Sequence, residues 1–227
     1  MSIISIHNIH KVYNPEAIPV HALNGVDLKI ESGEFTAIVG PSGSGKTTLL
    51  NILGGLDHPS EGNVIIGDTD LFLLNERELT NFRLHHIGFV FQAYNLIPVL
   101  TARENVEFIM QIQGLRPEVY QEKCQKLLHA VGLSDKMDKR PVELSGGQQQ
   151  RVAVARALAS EPDFVLADEP TANLDTVSTS NLLDIMVKMN EDLGITFVFS
   201  THDQRVVDRA RRVITLVDGK VDSDVIK

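Results

Sequence analysis

The chain has 227 residues, with 21 Lys+Arg against 30 Asp+Glu and a net charge of −9 at pH 7, which fits one large domain or a core domain carrying a grafted subdomain. Charged residues at 22 %, with 16 glycines and 9 prolines, exclude disorder, collagen and coiled coil, and the acidic balance disfavours a protein that works by neutralising nucleic-acid phosphates. A single cysteine, Cys124, excludes an internal disulfide framework and a cysteine-built zinc site, and fits a reducing compartment.

Near the N-terminus Ile4, Ile6, Ile9 and Val12 stand between polar residues, and residues 22–30 repeat the pattern through Leu23, Val26, Leu28 and Ile30. Antiparallel strands with one wet face are expected there. The first five residues lack the basic-then-apolar pattern of a signal peptide, so a cytoplasmic protein is expected. Residues 35–39 form a short apolar run that ends abruptly at Gly40, and residues 47–56 are apolar at helical spacing, closed by Gly54-Gly55. The unit reads as buried strand, glycine-rich loop and helix.

Between about 75 and 140 the texture changes to that of a helical subdomain. Leu79, Phe82 and Ile87 lose helical phase near Gly88, and residues 89–91 read as a short strand. Residues 84–102 carry no formal charge and are long enough to span a membrane, but His85, His86, Gln92, Tyr94, Asn95 and Pro98 make them buried and loop segments instead. Tyr120, Cys124, Leu127, Leu128 and Val131 make a helical stripe stopped by Gly132. A further helix follows Ser145, and residues 164–167 are a strand covered on both faces. Leu182, Met186, Met189 and Leu193 mark a helix, residues 195–199 another covered strand, and residues 213–217 with Asp218-Gly219 a closing hairpin. Covered strands alternating with helices imply an α/β fold with a parallel sheet, preceded by an antiparallel portion.

Gly40-Pro41-Ser42-Gly43-Ser44-Gly45-Lys46-Thr47, with Thr48 following, fits the phosphate-loop pattern G-x-x-x-x-G-K-[ST], which chance produces in about one chain per hundred of this length. Its glycines let backbone N–H groups converge on an anion at the positive end of the next helix. Lys46 supplies a mobile charge for the β- and γ-phosphates, and the Thr47 hydroxyl can ligate Mg²⁺. The strand before and the helix after make this a nucleoside-triphosphate site rather than a flexible turn. About a hundred residues later Leu144-Ser145-Gly146-Gly147-Gln148 opens a second helix, with Ser145 as a good N-cap beside exposed glycine N–H groups. Two anion-seeking helix ends in one chain are more than one triphosphate needs.

With that string, continuing as Gln149-Gln150-Arg151-Val152-Ala153, the sequence resembles the nucleotide-binding subunit of ATP-binding-cassette transporters from Tyr13 to His202. Residues 89–92, 95–98 and 171–175 look most like the branch of macrolide-export, lipoprotein-release and cell-division ATPases. The resemblance implies one nucleotide-binding domain over residues 1–227. Its RecA-like phosphate-loop core would cover about 1–91 and 160–227, with an antiparallel N-terminal portion and an inserted helical subdomain at about 92–159. It also implies a homodimer in which the phosphate loop of one subunit faces Ser145, Gly146, Gly147 and Gln148 of the other across ATP.

Residues 164–167 end in Asp168-Glu169, and adjacent strand residues point opposite ways, so the two acids can take different work. Asp168 is expected to hold Mg²⁺ and Glu169 to polarise the attacking water. His202 should emerge at the carboxyl edge of the sheet, where α/β proteins bind ligands, as a contact to the γ-phosphate. By resemblance, Gln92 approaches Mg²⁺ and the water, Tyr13 stacks on adenine with Val20 completing the wall, and Asp175 crosses the dimer interface. Ala172-Asn173 departs from the Ser-Ala of many relatives at that point.

The expected activity is ATP hydrolysis that drives a separate integral membrane permease through residues 92–106, with this subunit peripheral on the cytoplasmic face of the bacterial inner membrane and no nucleic-acid partner. The alternative is a soluble cassette ATPase acting on ribosomes or DNA, which commonly carries tandem cassettes or basic extensions. A phosphate-loop kinase or GTPase leaves the second helix end unexplained, and no Asn-Lys-x-Asp guanine-reading string is present.

Overall fold

The computed structural model describes residues 2–227. Strands β1 (Ser2–Tyr13) and β2 (Val20–Glu31) pair antiparallel, with Ile4 opposite Ile30 and Tyr13 opposite Val20. The alternation is real: Ile4, Ile6 and Ile9 on one strand and Leu23, Val26, Leu28 and Ile30 on the other are buried. β3 (Phe35–Val39) leads through the glycine-rich loop into helix α1 (Lys46–Leu53), whose last residue lies three before the expected limit and is capped by Gly54. The chain then returns to the first sheet as β4 (Glu61–Ile66) and β5 (Thr69–Asp70), giving the order β2-β1-β4-β5.

Helix α2 (Glu76–His86) starts at a capping box in which Asn75 and Glu78 satisfy each other's backbone N–H, and it runs directly into β6 (Ile87–Val90). That junction is the loss of helical phase seen in the sequence. The segment 92–106, expected to contact the permease, is a loop as far as Thr101 and then the first turn of α3 (Ala102–Ile112). Thr101 and Glu104 form the capping box that starts this helix. α4 (Pro117–Ala130) buries Cys124 and Leu128, and α5 (Gly146–Leu158) begins at Ser145. The chain closes with β7 (Phe164–Asp168), α6 (Thr176–Leu193), β8 (Thr196–Ser200), α7 (Gln204–Arg209), β9 (Arg212–Val217) and β10 (Lys220–Ile226).

The second sheet has the order β10-β9-β3-β8-β7-β6, parallel throughout except for the β9–β10 hairpin. Strands β3, β7 and β8 are covered on both faces, which is why they read as nearly unbroken apolar runs. Val165, Ala167, Phe197 and Phe199 pack into the core shared with α3 to α6, while Phe164, Leu166 and Val198 pack into the core shared with α1 and the antiparallel sheet. Each buried phenylalanine contributes about 1.5–3 kcal/mol. Pairs such as Lys126–Glu122 and Lys139–Glu143 lie in water, which screens them. Packing, not surface charge, holds the strands in register.

Because β3, β6, β7 and β8 run in the same direction, the loops leaving their carboxyl ends meet along one edge of the sheet. Those loops carry residues 40–45, Gln92, Glu169 and His202.

Candidate nucleotide site

The glycine-rich loop is shaped by what surrounds it. At Gly40 (φ +151°) a Cβ would stand 2.0 Å from the Leu216 carbonyl oxygen, and at Gly45 (φ +99°) 2.4 Å from that of Ala22. Only glycine lets the loop lie this close to β2 and β9 and still turn its N–H groups toward the start of α1. Lys46 Nζ donates to the Gly40 and Pro41 carbonyls at 2.9 and 3.0 Å, so its ammonium lies inside the loop. The Ser44 hydroxyl, 2 % exposed, finds no protein partner among the described residues.

A cavity of about 770 Å³ opens at this edge, the size of a cofactor pocket. Of the residues singled out in the sequence, Tyr13, Val20, Gly40, Pro41, Ser42, Gly43, Gly45, Lys46, Thr47, Thr48, Gln92, Glu169 and His202 line it. Asp168 joins them through the Thr47 hydroxyl, which donates to its Oδ1 at 3.1 Å. His21, Ala22 and Ala172 also line the cavity and were not foreseen. His21 and Ala22 follow Val20 along β2, and nothing in their residue type marks them.

Glu169 sits just past β7 with φ +45°, a left-handed turn that brings its carboxylate beneath the next loop. The Thr201 hydroxyl donates to Oε2 at 3.2 Å, and His202 Nδ1 lies 2.7 Å from Oε1. The register explains this contact: Asp168 is opposite Ser200 on the neighbouring parallel strand, so Glu169 comes level with Thr201. The sequence places His202 at this edge but does not foresee its contact with Glu169. Only 17 % of the Glu169 side chain is exposed, against 74 % for His202, so the imidazole still presents most of its surface outward.

Next along, Asp203 accepts from the Arg205 guanidinium at 2.8 Å, from the Thr171 hydroxyl at 2.8 Å and from the Arg205 N–H at 2.9 Å. The Arg205 hydrogen bond, with those from Thr171 and the backbone, outweighs burial and holds the Asp203 carboxyl at about 2. A carboxyl depressed by folding stabilises above its ordinary value of 3.8, and that stability is lost as pH falls toward about 2. Asp203→Asn is therefore expected to lower the melting temperature at pH 7, with roughly 2–4 °C for each kcal/mol lost in a chain of this size. The gap to the parent should close as pH drops below 3.8, and thermal melts across pH check it.

The second helix end lies elsewhere. Ser145 Oγ accepts from the Gln148 N–H at 3.3 Å and Gln148 Oε1 from the Ser145 N–H at 2.9 Å, a capping box that orients the start of α5. Asp175 caps α6, accepting from the Ser178 N–H at 2.9 Å and from the Ser178 hydroxyl at 2.6 Å, which hold its carboxyl below the usual range. None of Ser145, Gly146, Gly147, Gln148 and Asp175 lines the cavity.

Three side chains hold the loop between the two regions by its carbonyls. Gln150 donates to Phe91 O at 3.3 Å, Asn173 to Gln92 O at 2.9 Å, and Arg156 to Tyr94 O at 2.8 Å and to Asn95 O. Asn173, the departure noted in the sequence, thus fastens Gln92. Arg156 has no short-range motif to announce it.

Thr47, Asp168 and Gln92 present a hydroxyl, a carboxylate and an amide, all hard oxygen donors. Among the described residues no group of three or more His, Cys, Asp and Glu side chains could hold a metal ion. This donor set fits Mg²⁺, which takes one or two carboxylates and completes its shell with water and substrate phosphates.

The family profile for the ABC transporter matches residues 23–172. The chain is 46 % identical over 218 residues to the lipoprotein-releasing system ATP-binding protein LolD of Syntrophus aciditrophicus, covering 96 % of this chain and 98 % of that one. It is 45 % identical over 224 residues to the macrolide export ATP-binding/permease protein MacB of Rhodopirellula baltica, covering 98 % of this chain but 33 % of that one. Its fold matches a dimeric, post-hydrolysis ATP-binding cassette bound to ADP and Pi with a TM-score of 0.90 at 42 % identity, covering 98 % of both chains.

Proposed function

Because the chain belongs to the ABC transporter family, as an ATP-hydrolysing subunit of the LolD and MacB type, we propose that two copies close head-to-tail around two ATP molecules and drive a separate integral membrane subunit. One observation carries the dimer: the cavity gathers the phosphate loop, Gln92, Glu169 and His202 but none of the α5 start, so each chain holds half of two composite sites. A solved relative that is itself dimeric supports this arrangement.

In that site the loop N–H groups and the Lys46 ammonium bind the β- and γ-phosphates, Lys46 exchanging its two loop carbonyls for phosphate oxygens. Thr47, Asp168 and Gln92 would hold Mg²⁺, whose charge offsets that of the phosphate oxygens. Glu169, fixed by Thr201 and His202, orients the attacking water and draws on its proton. His202 holds Glu169 and turns its exposed side to the terminal phosphate. Tyr13 and Val20 receive the base. The start of α5 on the other copy, with Ser145, Gly146, Gly147 and Gln148, closes over the γ-phosphate, and Asp175 lies at the seam.

In this reading residues from about 92 to 159 form the helical subdomain against a core of about 1–91 and 160–227. Where the two meet lies an apolar groove of about 600 Å³ with Leu56, Phe89, Phe91, Ile97, Phe108 and Ile112 in its walls. Leu56, Phe108 and Ile112 are 47, 40 and 53 % exposed, a cost in water that a partner's helix would remove. Among the described residues no helix is long and apolar enough to cross a membrane. The subunit works on the cytoplasmic face of the inner membrane.

Phe108→Glu tests the docking surface. It is expected to reduce recovery of the membrane subunit with tagged protein at least tenfold, while the purified subunit hydrolyses ATP within twofold of the parent rate. Undiminished recovery would remove the groove from this role.

A further inference from the structure

The ring of Tyr13 is held in place before any base reaches it. Its hydroxyl donates to Asp57 Oδ2 at 2.6 Å, so the phenol is tied to the segment that leaves the phosphate-loop helix. That segment is itself anchored, because the Leu56 and Asp57 N–H groups both donate to the Asn51 carbonyl, at 2.8 and 3.2 Å.

Asp57 does more than meet Tyr13. Its Oδ1 accepts from Lys11 Nζ at 2.6 Å and from the His58 N–H at 2.7 Å. Lys11 Nζ also donates to the His58 carbonyl at 2.7 Å and lies 4.7 Å from the centre of the Tyr13 ring. The ammonium is thus spent on one face of the ring and on Asp57, and is not a free charge for phosphate. Burial alone would raise the Asp57 carboxyl, but the hydrogen bonds from Lys11, Tyr13 and the His58 N–H keep it below the usual range. With its carboxylate ionised, one acid fixes a phenol, an ammonium and its own loop.

We propose that Asp57 is a positioning residue for the nucleobase: through the Tyr13 hydroxyl and Lys11 it sets the ring as a platform whose face away from Lys11 is ready to stack on the base. This rests on the reading of Tyr13 as the base-binding residue. The physical gain is that the side chain is ordered before binding, so ATP does not have to immobilise it. A stacking platform acts on any ligand with a base and on none without one.

The test uses four variants of the whole subunit, with ATP as substrate and inorganic tripolyphosphate as a competitor that has phosphates but no base. Asp57→Ala and Tyr13→Phe are each expected to raise KM for ATP roughly three- to tenfold, with kcat within twofold of the parent and the inhibition constant of tripolyphosphate unchanged. Combined, the two should raise KM no further than the larger of them alone, since both break the same bond. Tyr13→Ala, which removes the ring, should raise KM more than either. If Tyr13→Ala raises KM while Asp57→Ala and Tyr13→Phe do not, the platform stands without Asp57 and the proposal fails. If Tyr13→Ala leaves KM unchanged, the assignment of the base to Tyr13 fails instead. A parallel loss of tripolyphosphate affinity would show that Asp57 acts through the phosphate loop, and would also overturn the proposal. Should Asp57→Ala not fold, Tyr13→Phe, which keeps the ring and leaves the Asp57–Lys11 pair in place, decides the matter alone.

Discussion

Replacing Glu169 by glutamine is expected to lower kcat at least ~10²-fold while ATP still binds, the range that removal of a general base produces. Glutamine has the volume and reach of glutamate and keeps a side-chain oxygen for the Thr201 hydroxyl at Oε2, so the left-handed turn at this position has no reason to move. What is lost is the carboxylate's ability to align water and draw its proton. The second consequence follows from linkage. In the closure proposed above, ATP binds the closed pair better than the open one, and cleavage of the γ-phosphate removes that preference. The variant should therefore accumulate as a dimer with ATP, resolved by size-exclusion chromatography, and remain monomeric without it. Full ATPase activity in the variant would take Glu169 out of the reaction.

Ser145→Arg is expected to cut turnover by a similar factor for a different reason. Ser145 does not line the cavity of its own chain, so a single subunit should bind ATP with nearly the affinity of the parent. Across the pair, the long cation would occupy the space meant for the terminal phosphate of the other copy and hold the halves apart. Loss of the serine cap also costs about 1 kcal/mol of helix stability, which a thermal melt will register and which is too small to explain a hundredfold loss of rate. Equilibrium binding of ATP at subunit concentrations below dimerisation separates the two effects. If the isolated monomer no longer binds ATP, Ser145 is structural and the composite site loses its support.

How much of this the amino-acid order could convey depended on how local each cause is. The phosphate loop, Asp168-Glu169 and the string from Ser145 to Gln148 are legible because strand, turn and helix lie next to one another and the chemistry depends on fixed spacing. The buried strands 164–167 and 195–199 are legible because a sheet covered on both faces must be apolar throughout. β4 is not, because its short apolar stretch, with Val64 and Ile66 buried, becomes a strand only when β1 lies beside it. α3 is less legible although its Thr101–Glu104 capping box stands in plain order, because two of its buried positions, Asn105 and Glu107, are polar and interrupt the apolar stripe. Contacts made across the fold leave no trace in order at all. His202 meets Glu169 because two parallel strands share a register, Asp57 meets Tyr13 because α1 delivers it there, and Arg156 reaches two carbonyls sixty residues upstream.

Helix α5 joins two separate places in the fold. Its first turn carries Ser145 and Gly147, and near its other end Arg156 stands in the wall of the apolar groove. Thirteen residues make a stiff rod of about 20 Å. Tilting such a rod by some 10° swings its far tip by on the order of 3 Å, as much as a whole hydrogen bond. In the complex proposed above, a modest push at the groove would therefore be enough to bring the glycine tip onto an anion or lift it away, and an anion seated at the tip would return the same push.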